Sequence, residues 1–172
     1  MSHFLITGHT GFKGSWLSLL LAEYGHTVSG ISLEAHPGSL FKKAAIKTCL
    51  RSDLRCDIRD RPKLVKTVQT VQPDYVIHLA AQALVLRGYR SPLETYETNV
   101  LGTLNVLDAT EKTDSVRSQL VVTSDKVYKP VSDGRPHREE DALGGQDPYS
   151  ASKAAADLLA RERLLQQQAK PG

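Results

Sequence analysis

Long apolar runs are absent from this sequence. No stretch approaches the roughly 20 consecutive apolar residues that a bilayer-crossing helix needs, which excludes an α-helical membrane protein. Cysteine is scarce: the two present, Cys49 and Cys56, have no metal-ligand spacing, so neither a metal site nor a disulfide framework is expected. Charge of one sign is missing too. The net formal charge is +3 and the basic residues are scattered, so no nucleic-acid partner is expected. There is no internal repeat and no low-complexity tract, Gln166-Gln167-Gln168 being too short to count. The first residues enter a strand at once, leaving no room for a signal peptide, and a cytoplasmic protein with two reduced thiols is the expectation.

What is present is a chain of 172 residues, 40% hydrophobic, long enough to bury a good core as one domain over residues 1–172. Its most informative stretch is Thr7-Gly8-His9-Thr10-Gly11-Phe12-Lys13-Gly14. An apolar run, His3-Phe4-Leu5-Ile6, precedes it, and a helical pattern from Ser15 to Ala22 follows. Strand, glycine-rich turn and helix together place a pyrophosphate on a helix N-terminus, where bare N–H groups and the helix dipole favour an anion. The glycines allow the tight turn, the approach of phosphates to the backbone and close helix–strand packing. The spacing is G-x-x-G-x-x-G, and the flanking strand and helix give it weight that three glycines alone would lack.

Strands and helices alternate thereafter. A second strand is expected over 27–33, with Glu34 twenty residues beyond Gly14, near where an acidic side chain would bind a ribose hydroxyl. The segment 36–54 is poorly periodic and is expected to be a loop with a short helix, and Asp57-Ile58 to end a third strand. Asp60 is a plausible N-cap for a helix carrying Leu64, Val65, Val68 and Val71 on one face, stopped by Pro73. A buried strand follows over 75–80, then a longer helix over about 92–110 with Tyr96, Val100, Leu104 and Leu107 along one stripe. A fifth strand over 119–123 opens into a long loop, 124–146. Asp147-Pro148 then starts a last helix whose apolar face should hold Ala151, Ala154, Ala155, Leu158, Leu159 and Leu165. The alternation implies an α/β fold of the doubly wound Rossmann type, a parallel sheet covered on both faces.

In such sheets ligands bind beyond the carboxyl ends of the strands. The fourth strand runs into Leu79-Ala80-Ala81-Gln82, whose small residues let a cofactor lie against the backbone, and the fifth into Thr123-Ser124-Asp125-Lys126. Tyr149 and Lys153, at i and i+4, share one face of the last helix. A lysine ammonium beside a phenol favours the phenolate, which can take a proton from a sugar hydroxyl while hydride leaves the same carbon for a nicotinamide.

On these residues the chain resembles the extended short-chain dehydrogenase/reductase superfamily of NAD-dependent epimerases and dehydratases, and within it looks like the CDP-glucose 4,6-dehydratases. Also carrying the likeness are Gly14-Ser15-Trp16, Asp57-Ile58-Arg59-Asp60, His78, Thr98-Asn99-Val100-Leu101-Gly102-Thr103 and Gly144-Gly145-Gln146-Asp147-Pro148-Tyr149-Ser150. Ser124-Asp125-Lys126 separates neighbours: epimerases have small or non-acidic residues at the last two positions, and dTDP-glucose dehydratases carry Thr-Asp-Glu.

The resemblance implies that Tyr149 removes the C4 hydroxyl proton as hydride passes from C4 to NAD⁺. Asp125 then protonates the departing C6 hydroxyl, and hydride returns to C6, leaving a 4-keto-6-deoxy sugar. Lys126 is open between C5 base, electrostatic partner of Asp125 and surface salt bridge. Ser124 would hydrogen-bond the C4 oxygen, and Lys153 would also hold the nicotinamide ribose. For the cofactor, the likeness implicates Gly8, Gly11, Phe12, Lys13 and Gly14 at the pyrophosphate, and Asp57 and Ile58 beside the adenine. Leu79, Ala80, Ala81, Gln82, Asn99, Tyr149 and Lys153 would line the nicotinamide half. NAD against NADP stays open, since Glu34 favours a free 2′-hydroxyl while Lys42 or Lys43 could reach a phosphate.

The pattern is broken in places. The segment 84–89 has leucine where the family commonly begins its basic residue, which leaves open whether Arg87 replaces it. The loop 130–136 lacks the aromatic residues often found there, and dehydratases of this kind run to roughly twice this length. The expectation is therefore an NAD-binding, catalytic-residue-bearing part whose nucleotide-sugar pocket is largely missing, completed by a separate chain or surviving as a dinucleotide-binding module without turnover. A sugar-nucleotide epimerase is argued against by Asp125-Lys126. A homodimer through the 92–110 and 148–168 helices is implied by the resemblance.

Overall fold

The structure, a computed structural model, describes residues 1–131 and 134–169. Ser132 and Asp133 of the long loop, and Lys170, Pro171 and Gly172 at the end of the chain, lie outside the described residues. Five strands, β1 (His3–Thr7), β2 (Thr27–Ser32), β3 (Ser52–Arg55), β4 (Tyr75–His78) and β5 (Ser118–Val121), form one parallel sheet in the order β3-β2-β1-β4-β5. The helices are α1 (Phe12–Glu23), α2 (Leu40–Lys43), α3 (Arg61–Val71), α4 (Val85–Arg90), α5 (Pro92–Tyr96), α6 (Gly102–Glu111) and α7 (Pro148–Ala169). A π-helical segment, Glu97–Leu101, joins α5 to α6, so 92–111 is one continuous helix with a widened turn. The order reverses direction beside β1, which places a crevice at the carboxyl ends of β1 and β4.

Alternation along the strands builds a core on each face. Leu5 and Ile31 join Leu64, Val68, Val106 and Ala109 beneath α3 and α6, with Val76 beside them. Ile6 and Val28, of opposite parity, are fully buried on the other face, where α1 packs on β1 and β2 and meets α2. The buried residues of α1 include Gly14, Ser15 and Ser18 rather than its large side chains. The serine hydroxyls are satisfied within the helix, Ser15 Oγ donating to the Gly11 carbonyl at 2.7 Å and Ser18 Oγ to that of Gly14 at 2.7 Å. Small residues let the helix sit close to the sheet and leave Phe12, Trp16, Leu20 and Tyr24 as an outward ridge at i, i+4 spacing.

The helix starts are built as their caps require. Asp60 Oδ1 accepts from Lys63 N at 3.2 Å, with Pro62 in the first turn, and Gln72 in the left-handed region ends α3 before Pro73. Asp147 accepts from Ser150 N at 3.0 Å and opens α7.

Several expectations need correcting. Asp57-Ile58 do not end the third strand: β3 lies at Ser52–Arg55, inside the stretch expected to be a loop, and Asp57-Ile58 form the turn after it. The helix α4 lies where no helix was expected. On α7 the buried face holds Ser152, Lys153, Ala154 and Ala156, whereas Leu158 and Leu165 are more than half exposed. The loop 124–146 folds back on itself, Lys129 N donating to the Ala142 carbonyl at 2.8 Å and Gly144 N to that of Val127 at 2.9 Å. Its tip is tied by Arg135 to Asp141, which holds the Asp141 carboxyl below the usual carboxylate range. Among the described residues no helix is long and apolar enough to cross a membrane.

Candidate functional site

A cleft of about 530 Å³ opens at the carboxyl ends of the strands. One wall is the glycine-rich turn. Gly8 sits at φ +78°, its N–H bonded to the Ile31 carbonyl at 2.7 Å, and a Cβ there would stand 2.7 Å from Ala80 N. Gly14 faces the turn itself: its Cβ would stand 2.6 Å from His9 Cα. Only glycine lets the first turn of α1 fold back this tightly. Gly11, the residue before α1, has no side chain to cap the first N–H groups, and Gly11, Phe12 and Lys13 line the cleft beside them. An uncapped helix start on a cleft wall fits a phosphate.

The floor is the exit of β4, Leu79 to Gln82, and it is held from behind. Asn99, 1% exposed, accepts from Gln82 N at 2.8 Å and donates to the Gln82 carbonyl at 3.0 Å and to Ser152 Oγ at 2.9 Å. Asn99 thus clamps the backbone of the cleft floor to α7, from behind the residues that line the cleft.

A second buried relay runs through His78. Its Nδ1 lies 2.6 Å from Thr7 Oγ1 and its Nε2 3.0 Å from Thr103 Oγ1. Thr103 spends its proton on the Asn99 carbonyl at 2.7 Å, so it accepts from Nε2–H, and Nδ1 accepts from Thr7. Burial, and secondarily the Lys153 charge, push His78 down to about 3, so it stays neutral and the relay keeps one polarity.

The far wall is α7. Tyr149 and Lys153 both line the cleft, one turn apart, opposite the glycine-rich turn. Lys153 is 6% exposed and its Nζ donates to the Val122 carbonyl at 2.9 Å. Burial, with help from Lys13 and against Asp157, lowers its pKa from 10.5 to about 8. The unfolded chain therefore binds more protons between these two values, and the contribution of Lys153 to stability rises with pH across that window. A carbon-13 titration of labelled lysine Cε should find one resonance moving near pH 8. If every lysine resonance moves together with the exposed ones, this environment is wrong.

Ser124, Asp125 and Lys126 are not part of the cleft wall. They form a single 3₁₀ turn just beyond the lining residues Val122 and Thr123, Asp125 and Lys126 being exposed. Ser124 Oγ accepts from Lys126 N at 3.2 Å and contacts Asp125 Oδ1 at 3.2 Å. The structure thus brings Gly8, Gly11, Phe12, Lys13, Gly14, Asp57, Ile58, Leu79, Ala80, Ala81, Gln82, Tyr149 and Lys153 together, and leaves that turn at the rim.

The Asp57 carboxylate is gripped by Arg59, whose Nη2 donates at 2.6 Å and holds its pKa below the usual range. Arg87 does reach the cleft, paired with Glu94 through Nη2 at 2.7 Å and Nε at 3.2 Å. Lys42 and Lys43 are exposed on α2 and line no part of it.

Sequence reasoning missed a group at the tips of β1, β2 and β3. His9 is fully buried, its ring over Gly30, with Nε2 2.7 Å from Asp53 Oδ1. Asp53 is also gripped by both terminal nitrogens of Arg55. The one available signal was Asp53-Leu54-Arg55, opposite charges two apart on one strand face, hidden in a stretch without periodicity.

Comparison with known proteins agrees with this geometry. The family model for GDP-mannose 4,6 dehydratase matches residues 5–165. A CDP-glucose 4,6-dehydratase of Salmonella typhimurium is 43% identical over 156 residues, covering 90% of this chain and 43% of that protein. A probable dTDP-glucose 4,6-dehydratase of Sinorhizobium fredii is 36% identical over 166 residues, covering 91% of this chain and 47% of that protein. Among solved structures, the UDP-glucose 4-epimerase of Thermus thermophilus in complex with NAD aligns with a TM-score of 0.79 at 28% identity, over 93% of this chain and 50% of that one. The chain spans about half the length of these relatives. By the match of the family model over nearly its whole length, the chain belongs to the GDP-mannose 4,6 dehydratase family.

Proposed function

We propose that this chain is the dinucleotide-binding and proton-handling part of a sugar-nucleotide 4,6-dehydratase, acting on CDP-glucose with NAD. The observation that carries this reading is the placement of Tyr149 and Lys153 on one cleft with the glycine-rich turn. The likeness to the Salmonella protein supports CDP-glucose over other nucleotide sugars. NAD-bound neighbours support the cofactor.

The residues fit a dinucleotide: an uncapped helix start beside a glycine turn for the pyrophosphate, and a floor of small residues from Leu79 to Ala81. Bound there, a nicotinamide would supply the hydride acceptor and donor. Tyr149, as phenolate, takes the proton of the sugar C4 hydroxyl and becomes the neutral phenol, and the Lys153 ammonium, fixed on the Val122 carbonyl, stabilises the phenolate that precedes the transfer. Ser124 hydrogen-bonds the C4 oxygen. Asp125 gives a proton to the departing C6 hydroxyl, and Lys126 either takes the C5 proton or supports Asp125 by its charge. Oxidation at C4 and reduction at C6 cancel, so the product differs from the substrate by one water. Two copies pair through the 92–110 and 148–168 helices, where Leu93, Leu101 and Leu158 face outward.

The test is an assay of the purified chain with CDP-glucose and NAD⁺, following the 4-keto sugar, with dinucleotide affinity and light scattering on the same sample. Product formation supports the dehydratase; binding without product favours the second reading, a dinucleotide-binding module whose chemistry needs further polypeptide. Absence of both sinks the proposal, and a lone monomer removes the pairing.

A further inference from the structure

We infer that Asp157 is a positioning residue of this cleft: bound by the Thr123 hydroxyl one turn beyond Lys153 on α7, its carboxylate is the counter-ion of the Lys153 ammonium. The inference deepens the reading above and rests on it. Tyr149, Lys153 and Asp157 follow one another at i, i+4 and i+8. The phenol, the ammonium and the carboxylate therefore form one stripe along the helix, neighbouring Cβ atoms being about 5–6 Å apart.

The carboxylate faces inward more than outward. Its side chain is 16% exposed, and Oδ1 accepts from Thr123 Oγ1 at 3.2 Å. Thr123 lines the cleft directly after Val122, whose carbonyl takes the Lys153 Nζ–H at 2.9 Å. The exit of β5 thus meets α7 at two successive residues, first at the ammonium and then at the carboxylate. Asp157 Oδ2 is buried and makes no hydrogen bond among the described residues; Arg161 Nε, 2.6 Å away on a side chain 48% exposed, is out of line with it. A carboxylate so thinly bonded in a buried place is costly unless a charge answers it. The buried charge one turn away is Lys153.

The other groups around Lys153 do not supply a counter-charge. Lys13, across the cleft, repels it. His78, behind the cleft floor, stays neutral. Arg87 and Glu94 on the cleft wall close on each other, and Asp125 and Lys126 at the rim are exposed and opposite in sign. Asp157 draws the Lys153 pKa up against burial and Lys13. With that pKa at about 8, ammonium outnumbers amine by about ten to one at pH 7. An opposite charge at this range is worth about one to three pH units, so without Asp157 the ratio falls to about one to one or below. The Tyr149 phenolate would then lack its cation in about half of the molecules or more.

The experiment is the carbon-13 titration of lysine Cε on the whole chain, unaltered and as Asp157→Asn and Asp157→Glu. Asparagine keeps an acceptor for Thr123 and removes the charge, so the Lys153 midpoint should drop by about one unit. Glutamate restores the charge and should return most of that shift. A midpoint unmoved by Asp157→Asn, or moved equally by Asp157→Glu, overturns the inference and leaves Asp157 a structural tie between β5 and α7. Should Asp157→Asn fail to fold, Arg161→Gln decides. Arg161 competes for the same carboxylate from the exposed side, and it stands about 12 Å of helical rise from Lys153, beyond the roughly 10 Å screening length at 0.1 M salt. Its loss should raise the Lys153 midpoint by about 0.2–0.4 unit, the size of an exposed i,i+4 pair. A midpoint that stays or falls overturns the inference. These titrations need no ligand. Failure of the unaltered chain to bind NAD⁺ or form product defeats the reading of the site, a separate result from a Lys153 midpoint indifferent to Asp157.

Discussion

Gly14→Ala is expected to cost about 2–3 kcal/mol of stability, the upper range for forcing a methyl into a packed site, and to abolish dinucleotide binding. The new methyl would lie 2.6 Å from His9 Cα, with the Gly8 carbonyl closer still, so it meets backbone on both sides rather than the end of a flexible side chain. Relief requires the turn to open. That moves Gly8, whose left-handed conformation and 2.7 Å bond to Ile31 hold β1 against β2, and it displaces the backbone N–H groups at the start of α1 on the cleft wall. Leu20→Ala on the same helix is the control. Leu20 is 52% exposed, and its loss should stay within about 1 kcal/mol. Urea unfolding of the two variants, with NAD⁺ titration of each, makes the comparison. Equal stabilities, or intact binding by Gly14→Ala, would show that the turn can yield without harm.

Asn99→Ala is expected to be as damaging for a different reason. It strands the Gln82 N–H, the Gln82 carbonyl and one partner of the Ser152 hydroxyl, all in a buried setting. Each unsatisfied group costs about 1–3 kcal/mol, so a loss of at least 3 kcal/mol follows. The floor of the cleft is then unpinned, and dinucleotide affinity should fall in step with stability. The outcome separates two roles for the same side chain. If stability barely changes while NAD⁺ affinity collapses, Asn99 touches the cofactor directly, as the sequence resemblance implies, and the clamp seen here is incidental. Asn99→Asp sharpens the contrast: it keeps the acceptor for Gln82 N but loses both donated bonds and buries a carboxylate.

Much of the fold was legible because it depends on local signals. Gly8, Gly11 and Gly14 between an apolar strand and a helix, Asp60 and Asp147 as caps, and the 3.6-residue stripe through Leu64 and Val68 all act within a few residues of themselves. The parallel sheet follows from their alternation. What escaped depends on partners far along the chain. The strand β3 has intermediate burial at every residue and no apolar period, and it exists because Gly30 and Ile31 pair with Asp53 and Leu54. His9 and Asp53 are 44 residues apart and meet only when β3 lies beside β2. On α1 the large residues suggest the buried side, yet close approach to the sheet selects Gly14, Ser15 and Ser18. On α7 the same competition turns Leu158 outward and Lys153 inward, because the lysine has a carbonyl to meet and a cleft to line. In the site, the residues that touch the cleft were largely visible from the turn and the Tyr–Lys spacing. The group of His9, Asp53 and Arg55 was not, since it assembles only when β3 takes its place beside β2.

The ridge on α1 has an optical consequence. Trp16 is the single tryptophan of the chain, half exposed, and it stands one helical turn, about 6 Å of rise, from Phe12 on the cleft wall. Its emission therefore reports a single place in the molecule, the outer side of the helix that starts on the cleft wall, with no contribution from the core. A reduced nicotinamide bound in the cleft would lie within reach for energy transfer from this indole, so ligand occupancy registers in the chain's own fluorescence without any label.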